Sequence, residues 1–240
     1  MRVAVVSDIH SNLPALEAVL AAAGNVDAVW HLGDVVGYGP DPNGVVRRLR
    51  DLGAVGVRGN HDAAAVGGSE IDWFNPDART AMEWTRAALE PDALAWLRDL
   101  PERRVEHDVE LVHGSHRQPI WEYVTSTATA RANLALLEQP IGLHGHTHVP
   151  VAWIDTAGDV RGRRVADGDE LSLDGLPALI NPGSVGQPRD GDPRASYLLL
   201  DPAAGRVSWH RVAYDIGAVQ AAMREAGLPG SLAARLAAGA

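Results

Sequence analysis

Cysteine is absent from the 240 residues of this sequence. The chain can therefore form neither a disulfide nor a metal site built from thiolates. It also lacks any apolar run near the roughly 18 residues that a membrane-spanning helix needs. Residues 1–6 lead directly into an apolar strand, without the basic and apolar regions of a signal peptide. Together these absences favour a cytoplasmic protein with no membrane partner.

Positive charge is also scarce, since 31 acidic residues outnumber 21 basic ones and the net charge is −10. No segment is rich in basic residues, so we expect the surface to repel nucleic acid. A nuclease is therefore disfavoured. An acidic protein can still bind phosphate where metal cations reverse the charge locally, so a small phosphorylated substrate is compatible with this composition.

The hydrophobic content of 46% is enough for a sizeable core, and 240 residues fit one large α/β domain. In the first 150 residues, apolar runs alternate with amphipathic stretches, which indicates strands alternating with helices. Strands are predicted at residues 2–7, 26–32, 54–58, 109–112 and 141–143. Helices are predicted at residues 13–23, 43–52, 76–89, 91–100 and 127–137.

After Pro150 the pattern changes to short segments bounded by turn residues, which is typical of antiparallel strands. Turns are expected at Ala157-Gly158 and Asp167-Gly168. The predicted strands are 151–156, 160–165, 171–173, 178–180, 196–200 and 206–212. A helix is predicted at 215–226, and residues 229–240 form either a short helix or a frayed tail. We expect a single domain over 1–240, with a βα half (1–150), antiparallel strands (151–214) and a terminal helix and tail (215–240).

Five short segments place side chains suited to metal binding directly after predicted strands. The carboxyl ends of parallel strands meet at one edge of a sheet, so these segments are expected to converge. Asp8 and His10 stand two residues apart, and in extended backbone both would project to the same side. Carboxylate, amide and imidazole ligands suit divalent cations, and enough are present for two. The segments are Asp8-Ile9-His10, Gly33-Asp34, Gly59-Asn60-His61-Asp62, His113-Gly114 and Gly145-His146-Thr147-His148.

Taken singly, most of these segments carry little information. An Asp-x-His triplet is usually a turn or a surface pair, and a Gly-Asp pair is usually a loop. Two imidazoles within four residues, as at His146 and His148, are a stronger sign of a metal site. The order of all five, each after a strand, favours a dinuclear site over unrelated loops. A carboxylate is the natural bridge between two cations, because its two oxygens and full charge offset their repulsion.

Together the five segments resemble the calcineurin-like metallophosphoesterases. The resemblance implies an α/β fold with a two-sheet β-sandwich core flanked by helices, in four α/β/β/α layers, and two metals at its top edge. It implies that Asp34 bridges both ions and that His61 lies beside them without binding either. The implied ligands of one ion are Asp8, His10 and His148, and those of the other are Asn60, His113 and His146.

The second motif separates branches of this family. Protein phosphatases and symmetrical dinucleoside tetraphosphatases usually read Gly-Asp-x-Val-x-Arg-Gly there, whereas this sequence has Tyr38 in the place of the arginine. Both activities are therefore disfavoured. The late segment at residues 181–189 and the Trp121-Glu122-Tyr123 segment are instead similar to the small bacterial phosphodiesterase-like branch.

The resemblance implies hydrolysis of a phosphodiester or a small phosphomonoester by a hydroxide that bridges two divalent metal ions. Manganese is the expected metal, and iron, zinc, nickel or cobalt also suit these ligands. His61, with an ordinary pKa of about 6.5, is the candidate general acid for the leaving group. Asp62 or another carboxylate would orient its ring.

Four further residues are candidate substrate contacts: Asn12, Tyr38, Arg117 and Arg189. Helix capping explains Asn12 equally well, and the two arginines suit surface salt bridges as well as phosphate. An alternative function is a catalytically weak metal-binding scaffold or a protein-interaction module on the same fold. The presence of His61 and of all seven presumed ligands favours catalysis.

Overall fold

A computed structural model of the chain describes the backbone of residues 1–240 and every side chain except those of residues 69 and 70. Twelve strands form the core of this described structure. In chain order they are β1 (Val3–Val6), β2 (Ala28–His31), β3 (Val55–Gly56), β4 (Arg103–Glu106), β5 (Val109–Val112), β6 (Ile141–Leu143), β7 (Val151–Thr156), β8 (Asp159–Arg164), β9 (Glu170–Ser172), β10 (Ala178–Asn181), β11 (Ala195–Asp201) and β12 (Arg206–Val212).

These strands form two mixed sheets of six strands each. The first sheet has the order β3-β2-β1-β11-β12-β9, and the second has the order β4-β5-β6-β10-β7-β8. Within the first sheet β1, β2 and β3 run parallel, and within the second β5, β6 and β10 run parallel. Each parallel group presents its carboxyl ends at one edge of its sheet, which is where ligands of such sheets bind.

Helices pack on the outer faces of the two sheets. The longest of them has 13 residues, and within the described part of the chain none combines the length and apolarity needed to cross a bilayer. In chain order they are α1 (Leu13–Ala23), α2 (Pro42–Asp51), α3 (Asn60–Ala65), α4 (Pro76–Ala88), α5 (Pro91–Asp99), α6 (Thr127–Leu134), α7 (Ile216–Glu225) and α8 (Gly230–Ala238), with a short 3-10 helix at Ser69–Trp73.

The alternation of side chains along β1 explains the layers. Val3 and Val5 belong to a buried cluster shared with β5, β6 and β10 of the second sheet. Ala4 and Val6, which point the other way, belong to a buried cluster shared with α1 and α2. On the far side of the second sheet, Leu179 packs with α6. The predicted two-sheet core with helices on both sides is therefore confirmed.

Most predicted elements are present, and the exceptions have physical reasons. The predicted bounds match those of α1, β5, β6, β7 and β12. The sequence does not predict β4, because its Arg-Arg-Val-Glu stretch has no apolar run and remains partly exposed. The turn at Asp167-Gly168 does not join antiparallel neighbours, because β8 and β9 lie in different sheets.

The C-terminal segment is helical rather than frayed. Gly239 ends α8 with a left-handed φ of 64°, a conformation that glycine adopts without strain. Leu232 and Leu236 of α8 pack with α7 and with Tyr38, which follows the second metal-binding motif. The two last helices therefore lie against the loop that carries this motif. That residues 1–240 form one domain stays a prediction.

Candidate metal centre

The seven side chains predicted as ligands lie together, at the carboxyl ends of strands from both sheets. The first sheet contributes those that follow β1, β2 and β3, and the second contributes those that follow β5 and β6. All seven are buried. They are Asp8, His10, Asp34, Asn60, His113, His146 and His148.

The first ligand group consists of Asp8, His10, Asp34 and His148, each offering one ligand atom within 4.8 Å of the others. The Nε2 atoms of His10 and His148 are 3.2 Å apart. His148 Nε2 lies 3.2 Å from Asp8 Oδ1, and His10 Nε2 lies 3.7 Å from Asp34 Oδ2. This spacing is compact enough for four side chains to enclose a single ion.

The second ligand group consists of Asp34, His113 and His146, whose ligand atoms also lie within 4.8 Å of one another. His113 Nε2 is 3.0 Å from His146 Nδ1 and 3.4 Å from Asp34 Oδ2. The amide oxygen of Asn60 lies 3.0 Å from the same His113 Nε2. Asn60 therefore completes this group with a fourth ligand.

The hydrogen bonds of the imidazoles determine which of their nitrogens can bind a metal. His10 Nδ1 donates to the carbonyl of Val36 at 3.2 Å, and His148 Nδ1 donates to the carbonyl of Gln187 at 2.5 Å. Both Nε2 atoms then carry lone pairs in the neutral rings. Two lone pairs that face each other across 3.2 Å repel unless a cation lies between them. The first ligand group thus has the chemistry of a cation site, and metal-binding histidines are commonly held by such backbone contacts.

The same reasoning applies to the second ligand group. His113 Nδ1 donates to the carbonyl of Leu32 at 2.8 Å, which leaves Nε2 to face the oxygens of Asn60 and Asp34. Without a metal, a proton must take the place of the positive charge. Burial lowers the pKa of His113, but the Asp34 carboxylate outweighs this effect and raises that pKa to about 9. The residues of both groups therefore fit bound cations.

Asp34 is the member that the two ligand groups share. Its Oδ1 accepts a hydrogen bond from the backbone N–H of His61 at 2.8 Å, which fixes the orientation of the side chain. Its Oδ2 lies near a histidine of each group. That Asp34 bridges two ions stays a prediction.

The protonation states of the other ligands also suit metal binding. Burial lowers the pKa of His10, of His148 and, to about 3, of His146, so these rings are neutral at pH 7. Burial raises the pKa of Asp8 and Asp34, but the neighbouring His148 and His113 outweigh it and hold both carboxyl groups below their ordinary pKa. Neutral imidazoles and ionised carboxylates are the forms that bind metal.

The ligand loops have a backbone that side chains other than glycine rarely adopt. Asp8, His10, Asp34, His146 and His148 all have φ between 49° and 64°. The expectation that Asp8 and His10 share a side through extended backbone is therefore wrong, because β1 ends at Val6 and both residues have a left-handed φ. Left-handed residues of this kind are costly and collect at functional sites, where the surrounding structure holds them.

His61 lies beside the ligands, in neither of the two groups. Its ring centroid is 4.8 Å from that of His10, 4.4 Å from Tyr38 and 4.5 Å from Phe74. Burial lowers its pKa to about 4. The Asp62 carboxylate does not orient this ring, because its two oxygens accept from the backbone N–H groups of Val36 and Gly59. Asp62 instead holds the second and third motifs together.

The candidate substrate contacts separate into two pairs. Tyr38 and Arg189 line the cavity beside the ligands, with the Arg189 guanidinium carbon 6.0 Å from the centre of the Tyr38 ring. Asn12 instead caps α1 by accepting from the N–H of Ala15, and its amide donates to Gly186. Arg117 pairs with Glu122 and is half exposed outside the cavity lining. The structure therefore favours the capping and salt-bridge alternatives for Asn12 and Arg117.

The sequence predicts a substrate contact for only one of the aromatic residues at the mouth of this cavity, Tyr38. The cavity has a volume of about 130 Å³ and opens beside Asp34, His61 and His146. Tyr123 stacks on the His146 ring at 3.9 Å, and Phe74 packs against His61. A usable signal existed, because aromatic residues make up only 5% of the sequence. Five of them line this one cavity: Tyr38, Trp73, Phe74, Trp121 and Tyr123.

Glu122 fixes the loop that carries two of these aromatic residues. Its carboxylate accepts from Ser115 Oγ at 2.6 Å and from Asn133 Nδ2 at 3.1 Å, and it pairs with Arg117. The Arg117 hydrogen bond, with those of Ser115 and Asn133, lowers the pKa of Glu122 to about 2. Because that pKa is depressed, the carboxylate stabilises the fold above about pH 4.5, and this contribution is lost as the pH falls towards 2.

We expect Glu122→Gln to destabilise the protein by about 1 to 2 kcal/mol at pH 7, because the amide cannot accept at every position that the carboxylate does. The melting temperature would then fall by roughly 3–6 °C, as measured by calorimetry on metal-free protein. Asp159→Asn, which alters an exposed pair with Arg161, is the control and should change little. An equal melting temperature of wild type and Glu122→Gln at pH 7, or a gap that stays undiminished at pH 3, would contradict this role.

Comparison with known families identifies the fold. The calcineurin-like phosphoesterase superfamily domain matches residues 1–205. The chain belongs to this family. It is 36% identical over 226 residues to the uncharacterized protein MJ0912 of Methanocaldococcus jannaschii, which covers 89% of this chain and 88% of that protein. It is 30% identical over 214 residues to the phosphodiesterase YfcE of Escherichia coli, which covers 84% and 88%.

A solved structure supports the same assignment. The crystal structure of a metallophosphoesterase from Sphaerobacter thermophilus superposes with a TM-score of 0.92 at 48% identity, covering 100% of this chain and 99% of that one. A symmetrical bis(5'-nucleosyl)-tetraphosphatase of Pectobacterium carotovorum is 34% identical over 145 residues, but the match spans 55% of this chain and 50% of that protein. The predicted membership of the metallophosphoesterases is confirmed, and members of this family are hydrolases.

Proposed function

We propose that this protein is a dinuclear-metal-dependent phosphoesterase that hydrolyses phosphodiesters or small phosphomonoesters. The observation that carries the proposal is the position of Asp34 Oδ2, which lies 3.7 Å from His10 Nε2 in one ligand group and 3.4 Å from His113 Nε2 in the other. A carboxylate oxygen shared by two groups of lone-pair donors suits two adjacent cations. Manganese is the proposed metal, and iron, zinc, nickel or cobalt suit the same mixture of nitrogen and oxygen ligands.

Two divalent cations bound there would offset the negative charge of the phosphate and make water a stronger nucleophile near neutral pH. The surrounding residues define where the phosphate can lie. The cavity is lined by ligands of both groups and also by His61 and Arg189. A phosphate group in this space would therefore lie close to the ligand groups and to two further nitrogen-bearing side chains.

Arg189 is the proposed phosphate contact that replaces the missing arginine of the second motif. Its Nη2 donates to Gln187 Oε1 at 2.9 Å, and its backbone N–H donates to the His148 carbonyl at 3.3 Å. Its guanidinium lies over Tyr38, which occupies the motif position. The positive charge is thus supplied from a loop of the second half of the chain, and arginine is well suited to binding phosphate oxygens in a fixed orientation.

His61 is the proposed proton donor to the leaving oxygen. It lines the cavity but belongs to neither ligand group, so its ring stays available to the substrate. Burial keeps the ring neutral at pH 7 in the free protein. A phosphate bound beside it would favour the protonated form, because a nearby negative charge raises the pKa of an imidazole.

The proposal predicts that protein reconstituted with Mn²⁺ hydrolyses bis-p-nitrophenyl phosphate, and that a chelator abolishes this activity. Release of p-nitrophenolate at pH 7.5, with the metal content measured in parallel, tests it. Arg189→Lys keeps the charge but not the planar fork, and we expect it to lower kcat/KM roughly tenfold or more. Protein that binds two metal ions but releases no product from any phosphodiester or phosphomonoester would favour the alternative, a metal-binding scaffold on the same fold.

A further inference from the structure

The aromatic residues at the cavity mouth form a wall that extends outward from the metal centre. Phe74 packs on His61. The ring centroid of Trp121 lies 6.1 Å from that of Phe74, and the ring centroid of Trp73 lies 5.1 Å from that of Trp121. Tyr123, which lines the same cavity, stacks on His146. We call Trp73, Phe74, Trp121 and Tyr123 the aromatic wall. Its two halves come from separate segments, the 3-10 helix before α4 and the loop after β5.

Core packing does not account for the outer part of this wall. The Trp73 side chain is 73% exposed and that of Tyr123 is 48% exposed, whereas large apolar side chains of a folded protein are usually buried. An exposed apolar surface next to a polar cavity is typical of a binding site. The exposed rings of the wall are therefore suited to binding an apolar group of a ligand that comes from solvent.

The size of the cavity indicates which part of a substrate meets the wall. Its volume of about 130 Å³ is well below the roughly 300–1,000 Å³ of pockets that enclose a whole small-molecule ligand, so the cavity suits a phosphate group rather than an entire ester. With the phosphate beside Asp34 and Arg189, an organic group esterified to it must leave through the mouth. The aromatic wall at this mouth consists largely of indole and phenol rings, which bind planar groups by stacking.

We propose that the aromatic wall binds a planar ring of the substrate, such as a nucleobase or an aryl group, and so directs this phosphoesterase to esters that carry one. The inference rests on the proposed function for the position of the phosphate. Among the described side chains that line the cavity, Arg189 and the ligand Asp34 are the only Asp, Glu, Lys or Arg residues, so recognition of the ring would depend on its flat face rather than on a pattern of hydrogen bonds. A tolerance for different rings follows from that chemistry.

The test compares ligands that differ only in the ring. Adenosine 5'-phosphate and ribose 5-phosphate share the sugar phosphate, and phenyl phosphate and methyl phosphate provide the same comparison for an aryl group. Their dissociation constants are measured by calorimetry with Mn²⁺-loaded protein, and tryptophan fluorescence gives a second readout. We expect the ring to tighten binding about tenfold in at least one of the two pairs.

Substitutions at the wall distinguish stacking from apolar bulk. Trp73→Leu and Trp121→Leu should remove most of the preference for the ring, whereas Trp73→Phe, which keeps a flat face, should retain it. Leu136→Ala alters another exposed apolar residue, outside the cavity lining, and serves as the control. Metal content measured on each variant excludes loss of the ions as the cause.

Equal affinities within both pairs for the wild type would overturn the inference, even if phosphodiesters are hydrolysed as proposed. A preference that survives Trp73→Leu and Trp121→Leu would do the same. A second copy of this chain could bind the aromatic wall instead, and light scattering measures the oligomeric state. A dimer that dissociates in Trp73→Leu, with the ring preference unchanged, would also overturn the inference. Ring-dependent binding without any ester hydrolysis would instead support ring binding by the aromatic wall and contradict the proposed phosphoesterase activity.

Discussion

Replacing Asp34 by asparagine is expected to remove both metal ions together and to lower kcat/KM by roughly 10³-fold or more, since bound metals supply several kcal/mol to such reactions. The change is nearly isosteric. Asp34 Oδ1 accepts from the His61 N–H, so the amide oxygen of asparagine would keep that place. Its amide nitrogen would then replace Oδ2 and point N–H donors at both ligand groups. Metal analysis by mass spectrometry and kinetics on the same samples measure both effects.

Asp8→Asn is the matched control, because Asp8 belongs to the first ligand group alone. Its Oδ2 already accepts from Ser7 Oγ at 2.6 Å and from the His146 N–H at 3.1 Å, so the same substitution again turns one oxygen of the site into a donor. We expect this variant to lose one ion and keep the other. Two tightly held metals in Asp34→Asn would contradict bridging, as would equal losses in the two variants.

Much of this site could be predicted because its chemistry lies in residue types and their order. Asp8, Asp34, His113 and His146 each follow a strand whose apolar run is readable, and parallel strands bring their carboxyl ends to one edge. What the pattern could not supply is the backbone of the loops. Left-handed φ at Asp8 and Asp34 is held by tertiary contacts, because even aspartate, which adopts this conformation more often than most residues, does so only occasionally.

The same division holds for the fold. β1 and β2 are buried on both faces and read as continuous apolar runs, so their prediction needs no tertiary information. β4 is stabilised by pairing with β5 while its side chains stay partly exposed, and β9 pairs with β12 across a long stretch of chain. Register and sheet membership of such short polar strands depend on long-range pairing. The exposure of Trp73 and Tyr123 could not be predicted for a related reason, because it is a property of the fold.

His61→Ala is expected to keep both metals and to lose activity in proportion to how poor the leaving group is. His61 lies in neither ligand group, so its removal leaves all seven ligands in place. Its backbone N–H, which holds Asp34 Oδ1, is also retained in alanine. General acid catalysis contributes about 10²- to 10⁴-fold, so we expect a loss of that order for alkyl esters. For p-nitrophenyl esters, whose leaving group needs no proton, the loss should stay below about tenfold.

The dependence on the leaving group is what separates a proton donor from a packing residue. Removing the ring would open space between His10, Tyr38 and Phe74, and a purely structural effect of that kind would slow every ester alike. A series of methyl aryl phosphates with graded leaving groups therefore provides the measurement, with metal content followed in each sample. An equal loss for all members of the series, or a fall in metal content together with the rate, would assign His61 to the support of the site. A rate that depends more steeply on the pKa of the leaving group in the variant than in the wild type would identify His61 as the proton donor to the leaving oxygen. Protonation of that oxygen matters most where the departing negative charge is least stable.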